Sequence, residues 1–407
     1  MNLFDDLKWR GLIKDISSPE LEKKLNEEQL TFYIGTDPTA DSMHIGHFSS
    51  FLIASRLAKY GHKPILLIGG ATGLIGDPKP SKERQMITKE AVAKNVEGLT
   101  RQAKEIFGFE VVNNYDWIKE INTIDFLRDY GKYINVNYML DKDIIARRLD
   151  TGITFCEFAY TLLQGMDFVY LNEAKGVTLQ VAGSDQWGNI TTGIELARKK
   201  NDVELFGMTM PLVLDANGVK FGKTEGNALW LDKNKTSSYE LYQYLINSDD
   251  AIVIDYLKKL TFLSKEEIEN IEKEHFEAPE KRLAQKALAH EVITFLHGEE
   301  EFDKAVRISE SLFSGNIQNL SLEEIEDGMK DVPNFKVEES SLLDLLVNNK
   351  IASSRREARE FLNAGSITIN GEKLTDENMI ITKDLAIEGK VIVIRKGKKK
   401  YYMGIFE

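Results

Sequence analysis

What this sequence has little of narrows it first. It holds one cysteine, Cys156, so no disulfide framework can form within the chain and a cysteine-based zinc site has too few thiolates. No apolar run approaches the roughly 18 residues that span a bilayer. The opening MNLFDDLKWRGLIKDI carries early acids and no apolar stretch, unlike a secretory signal. There is no internal repeat and no low-complexity tract. With 42% hydrophobic and 29% charged residues, the composition excludes collagen, coiled coil and wholesale disorder. At 407 residues the chain exceeds one ordinary core, so two or three domains are expected. A cytoplasmic protein with no membrane span and no bound zinc is the expectation.

Positive charge is scarce too, but unevenly. The net charge is −13. Residues 341–407 hold 12 Lys/Arg against 9 Asp/Glu, a net of +3, so the first 340 hold 40 against 56, a net of −16. An acidic body that does chemistry, with a basic tail that holds an anionic polymer, is one reading; a solvated basic hairpin is the other.

Segments 30–36, 63–69 and 176–182 read as strands, and 43–60, 88–107, 154–171 and 186–199 as helices. Such alternation predicts an α/β domain, a parallel sheet covered by helices, with ligands beyond the carboxyl ends of the strands. From Ser237 the pattern turns to consecutive helices, with Pro279 at the start of one. Residues 316–340 are polar and poorly periodic and read as a linker, so a chain ending near Ser340 is expected to keep its upstream domains. Two short helices come next, the second with Ser353 as N-cap. Then SITINGEKL and VIVIRKGKKKYYMGIF read as hairpins, the first turning at Asn370-Gly371. The boundaries expected are 1–227, 228–315, 316–340 and 341–407.

The first chemical motif is YIGTDPTADSMHIGH. A strand ends at Gly35, a loop carries Asp37 and Thr39, and a helix opens with His44 and His47 on one face. Gly46 between them leaves room for close approach. A helix N-terminus there attracts phosphate, and the imidazoles add donors for developing charge. A metal pair, or two capping histidines, are the alternatives. The second motif, GVKFGKT, misses the P-loop spacing, since only three residues separate Gly218 from Gly222, and EGNALWLD after it does not read as a helix. A loop with two phosphate-seeking lysines, Lys220 and Lys223, remains, or else an exposed basic turn.

Farther on, Tyr160, Gln164 and Asp167 form a polar stripe on an otherwise apolar helix, either a solvent face or the wall of a site. GSDQWGN places Gly183 and Asp185 between strand and helix, the usual address of a ribose contact or of a helix N-cap, and Gln186 is in reach of an α-phosphate. Cys156 reads as a small core residue. Arg355, Arg356 and Arg359 share one face of a short helix, and Lys398, Lys399 and Lys400 precede two tyrosines, a charge-plus-stacking pattern suited to RNA.

Together these motifs resemble the class I aminoacyl-tRNA synthetases. His44-Ile45-Gly46-His47 reads as that class's HIGH signature, and Lys220-Phe221-Gly222-Lys223-Thr224 stands where it has KMSKS. With GGATGLIGDP, NNYDW and GSDQWGN, the chain is most similar to the bacterial tyrosyl-tRNA synthetases, over essentially its whole length. The resemblance implies a Rossmann-like catalytic domain, an α-helical domain and a small α+β S4-like RNA-binding domain. It implies activation of L-tyrosine with ATP and Mg²⁺, transfer to tRNA(Tyr), and a homodimer. It assigns Asp77, Tyr160 and Gln164 to the substrate's amino group, and Tyr33 and Asp167 to its phenol. It assigns Gly35, Asp37, Thr39, Gly46, Gly183, Asp185 and Gln186 to ATP. His44, His47, Lys220, Lys223, Thr224 and Arg84 go to the phosphates, with Lys79 or Lys82 as a further loop lysine.

Overall fold

The computed structural model describes residues 1–78, 86–222, 228–330, 332–397 and 400–406. The chain divides into two compact units, Met1–Thr236 with Ser248–Leu296, and Ser237–Asn247 with His297–Glu407. The first unit holds a six-stranded sheet of β1 (Asp15–Ile16), β2 (Thr31–Thr36), β3 (Lys63–Ile68), β4 (Glu110–Asn113), β5 (Leu179–Gly183) and β6 (Phe206–Met210). Its order is β1-β6-β5-β2-β3-β4, with only β1 antiparallel to its neighbour. The apolar runs of β2, β3 and β5 are buried on both faces, as strands between helical layers must be. The chain runs outward from β2 through β3 to β4, then returns to β5 on the other side of β2. That reversal opens a crevice at the carboxyl ends of β2 and β5.

The helices after Ser237 do not pack as one body. Val253–Leu260 and Lys265–Glu277 belong with the first unit, whereas Ser238–Ile246 and Glu299–Ser314 belong with the second. The reason is a buried polar anchor. Arg10 bonds Asp6 and donates to the carbonyls of Lys258 and Leu263, while Arg56 donates to that of Thr261. Three carbonyls, one in the last turn of the first helix and two in the turn after it, thereby gain donors from the N-terminal side of the unit. Pro279 opens only a 3₁₀ turn, Pro279–Lys281; Arg282, at φ +52°, breaks the path, and the α-helix begins at Leu283.

The second unit carries β7 (Asn334–Lys336), β8 (Ser340–Ser341), β9 (Ile367–Ile369), β10 (Glu372–Lys373), β11 (Ile380–Ile381), β12 (Val391–Lys396) and β13 (Lys400–Ile405). The larger sheet runs β10-β9-β12-β13-β7. Asn370 and Gly371 both take positive φ, 50° and 88°, the turn that Asn-Gly favours between β9 and β10. The N-cap of Arg355–Asn363 is Ser354, not Ser353; Ser353 bonds Glu357 instead.

The stretch 316–340 is not a bare linker. It holds a 3₁₀ turn, a capped helix Leu322–Gly328, and β7, which pairs in parallel with β13. Its apolar residues Ile317, Leu320, Ile325 and Met329 pack with Ile308, Val391, Val393 and Met403. A chain ending at Ser340 therefore keeps β7 but loses its partner strand and three members of that cluster. Such a chain is expected to bind a hydrophobic dye and to lose the second unit's melting transition while the first unit's persists. Retention of both transitions unshifted would contradict this packing.

Candidate active site

A cavity of about 480 Å³ occupies the crevice. The end of β2 brings Gly35 to it, the loop after β2 brings Asp37 and Thr39, and the start of helix Ile45–Lys59 brings His44, Gly46 and His47. Helix Phe155–Lys175 contributes Tyr160, Gln164 and Asp167, and the β5 end contributes Gly183, Asp185 and Gln186. Tyr33, Asp77 and Lys220 complete the set. Residues as far apart in the sequence as Tyr33 and Lys220 thus share one site. Arg84, Lys223 and Thr224, and also Lys79 and Lys82, lie outside the described residues.

At one end Asp167 is 1% exposed. It accepts from the Asn114 side-chain amide at 3.0 Å and from the Trp117 indole at 2.9 Å. Burial nevertheless dominates and pushes its carboxyl up to about 7, against the pull of those two donors. Tyr33 is equally buried, and its hydroxyl has no partner. Burial, then the Asp167 charge, hold that phenol well above its ordinary value, so it stays neutral. A carboxylate and an unspent hydroxyl therefore meet at an enclosed floor that suits a ligand group able both to donate and to accept.

The histidines cap their own helix. His44 Nδ1 accepts from the Gly46 N–H, and His47 Nδ1 accepts from the His44 N–H, both at 3.1 Å, with the rings stacked 3.9 Å apart. With Nδ1 accepting in each, the neutral rings carry their proton on Nε2. Burial, then the nearby His44, drop His47 to about 3, so it is neutral at any physiological pH. Gly46 is required: a Cβ there would sit 2.8 Å from His44 Cε1. Among the described residues, no group of three or more His, Cys, Asp or Glu is gathered as for a metal ion.

Between these ends, Tyr160 donates to Asp37 at 2.9 Å and Thr72 donates to its other oxygen at 2.8 Å. Gln186 and Asn189 donate to Asp77 at 3.0 and 3.3 Å. Gly69 packs so closely on this network that a Cβ would fall 2.1 Å from Asp37 Oδ1. Lys220 sits 3.8 Å from Asp185, both about half exposed, at the end of a hairpin turn that Asp215 organises. The far stem of that loop is tied to the histidine helix, since Ile45 N–H donates to Leu229 and Leu231 N–H to Met43, each at 2.8 Å. Among the described residues that stem is bridge and not helix, which is not the context of a P-loop.

Asn114, Trp117, Gln180, Asn189 and Thr72 escaped the sequence reading. NNYDW directly after a strand was the available signal for the first two. Gln180, 2% exposed and lining the cavity, keeps a partnerless Oε1. Cys156 is exposed, not core, because the first turn of its helix buries Glu157 and turns Phe155 and Cys156 outward.

In the second unit, Arg355 pairs with Asp344, Arg356 with Glu360 at 3.2 Å, and Arg359 with Glu377 at 2.6 Å. All three are exposed, so these pairs hold little energy and can open. Lys400 is exposed at the start of β13; Lys398 and Lys399 lie outside the described residues.

Residues 25–314 match the family described as tRNA synthetases class I (W and Y), and residues 324–404 match one described as a tyrosine–tRNA ligase C-terminal domain. The chain is 52% identical to the tyrosine–tRNA ligase of Geobacillus stearothermophilus, over 99% of each chain. It superposes on a C-terminally truncated mitochondrial tyrosyl-tRNA synthetase of Aspergillus nidulans with a TM-score of 0.69 at 32% identity, covering 77% of this chain and 94% of that one. A tryptophanyl-tRNA synthetase of Encephalitozoon cuniculi shares the fold, with a TM-score of 0.56 at 15% identity over 74% of this chain and 87% of that one.

The floor makes a titration prediction. In the ligand-free protein the Asp167 carboxyl carbon is expected to titrate near pH 7 by NMR. Asn114→Ala, which removes a donor to the ionised form, is expected to move the midpoint higher. Because the folded value lies above the unfolded one, the stability that protonated Asp167 contributes is present below about pH 4 and lost as pH rises through about 7. A midpoint in the ordinary carboxylate range would contradict the burial.

Proposed function

This chain belongs to the class I aminoacyl-tRNA synthetases of the tryptophan and tyrosine group, and on that premise we propose how its cavity works as a tyrosine–tRNA ligase. L-tyrosine enters side chain first. Its phenol donates to Asp167 and accepts from Tyr33; the buried Asp167 carboxyl and the partnerless Tyr33 hydroxyl on one cavity floor are the observation that supports this assignment. Phenylalanine would leave both groups stranded, which costs their desolvation without return. An indole offers Tyr33 no hydroxyl. Asp77, Tyr160 and Gln164 hold the ammonium group.

ATP enters with Mg²⁺ as one substrate, the ion held by phosphates and water as is usual for it. Gly183 and Asp185 take the ribose, and Gly35, Asp37, Thr39 and Gly46 the remainder, with Gln186 at the α-phosphate. The 2.9 Å bond between Tyr160 and Asp37 links the amino-acid side of the cavity to the nucleotide side. A tyrosine carboxylate oxygen attacks the α-phosphorus, the bond to the β-phosphate bridge breaks, and pyrophosphate leaves. The Nε2–H groups of His44 and His47, at a helix N-terminus, face the growing charge. Lys220, Lys223, Thr224 and Arg84 embrace the leaving pyrophosphate. In the second step a hydroxyl of the terminal adenosine of tRNA(Tyr) attacks the tyrosyl carbonyl, and AMP leaves. Arg355, Arg356, Arg359 and the 398–400 lysines take tRNA phosphates. We place the protein in the cytoplasm, where tRNA is charged, and assign it a homodimer. Exposed Ile124, Leu127, Val136, Leu149 and Phe155 support that pairing.

ATP–pyrophosphate exchange, run with each amino acid in turn, tests the reading. Tyrosine is expected to support exchange, with phenylalanine and tryptophan near background. Tyr33→Phe is expected to narrow the preference for tyrosine over phenylalanine by about tenfold, the worth of one buried hydrogen bond. Equal exchange with phenylalanine in the unmodified protein would refute the substrate assignment.

A further inference from the structure

We propose that Lys235 is a positioning residue for adenylate formation: its ion pair with Asp41 fixes the segment 229–231, and that segment sets where His44 stands. The inference rests on the ligase reading and adds to it a residue outside the cavity lining.

His44 lies where two stretches of chain meet. The Ile45 N–H donates to the Leu229 carbonyl and the Leu231 N–H to that of Met43, with His44 opposite Trp230 in an antiparallel bridge. The two rings are 6.5 Å apart. The stretch before His44 is held from behind by helix Lys89–Gln102. Asn95 donates to the Pro38 carbonyl at 2.8 Å. Gln102 accepts from the Met43 N–H at 2.7 Å and donates to Ser42 at 2.9 Å. Gly98 lets the helix close on this loop, since a Cβ there would fall 2.1 Å from the Asp41 carbonyl oxygen. Asp41 is thereby a fixed point.

The stretch after Trp230 closes on itself and delivers one side chain to that point. The Asp232 carbonyl accepts from the Lys235 and Thr236 N–H groups at 2.9 and 3.0 Å, and the Thr236 hydroxyl accepts from the Trp230 N–H at 2.9 Å. Lys235, half-buried, bonds Asp41 with its ammonium 5.2 Å from the centre of the Trp230 ring. It therefore grips both the fixed carboxylate and the indole opposite His44. Lys94, also near Asp41, is exposed and 3.9 Å away, a looser pair.

The grip controls position. His44 Nδ1 is committed to the Gly46 N–H, so the ring follows the backbone of residues 43–45. A displacement of about 1 Å in a group that meets charge in the transition state costs on the order of a hundredfold in rate. Such a loss leaves ground-state binding intact.

The test follows adenylate formation in single turnovers of the full chain, beside equilibrium tyrosine binding and a thermal melt. Lys235→Met and, independently, Asp41→Asn are expected to slow the step by at least about tenfold. Tyrosine affinity is expected to be unchanged. Lys235→Arg, which keeps the charge and the ring contact, is expected to retain the rate. Lys94→Met is expected to leave it unaltered. The deciding comparison adds His44→Asn, which keeps a capping oxygen but loses the Nε2–H. In that background Lys235→Met is expected to cost nothing further, because the group it positions is gone. A pair that merely stabilises the fold would slow both backgrounds alike, and that result overturns the proposal. Normal rates in both Lys235→Met and Asp41→Asn overturn it too. An unmodified protein without tyrosine-dependent exchange would instead overturn the ligase reading itself.

Discussion

One buried carboxylate organises the catalytic unit. Taking Asp167 out of water costs several kcal/mol even after relaxation, and it stays only because Asn114 and Trp117 donate to it. Those donors come from the short helix that follows β4 and its N-cap, the carboxylate from the middle of helix Phe155–Lys175, and the facing phenol from β2. Three elements far apart in the sequence must therefore be in register before the pocket exists. That register is what the parallel pairing of β2 with β3, and β3 with β4, supplies. The compensation is also incomplete, since the carboxyl still rises to about 7 and the Tyr33 hydroxyl stays unpaired. A pocket short of one donor and one acceptor is poised for a phenol.

The opposite end of the cavity applies the same economy to nitrogen atoms. Each histidine uses Nδ1 to close a backbone N–H at the helix start, and this fixes the tautomer that presents Nε2–H. Capping through Nδ1 is compatible with the phosphate role proposed for this pair, because each ring has a second nitrogen. A neutral His47 also keeps a permanent charge from the resting pocket.

Local signals made much of this legible. The apolar strands, the capped helices, the Asn-Gly turn and the polar stripe Tyr160–Gln164–Asp167 are each written within about ten residues of chain. What was not legible depends on distant partners. In the segment 316–340, β7 is not legible because its partner is β13, almost at the end of the chain. Asn114 and Trp117 lie in NNYDW, a motif with no pocket role assigned until the fold brings Asp167 to them. Arg355, Arg356 and Arg359 read as a bare basic face, yet Asp344 and Glu377 reach across to two of them. The split of the helices after Ser237 between the two units comes from Arg10 and Arg56, whose target carbonyls no residue pattern announces.

The central claim is that an ionised Asp167 receives the tyrosine phenol. Calorimetry of L-tyrosine binding, repeated in buffers of different ionisation enthalpy, measures it most directly through the protons exchanged. If the carboxyl titrates near 7 in the empty pocket and is ionised in the complex, about half a proton is released at pH 7. The release approaches one proton toward pH 6 and falls toward zero by pH 8. Binding with no release at pH 6 to 7 would contradict the account, because the carboxyl would then stay protonated against the phenol.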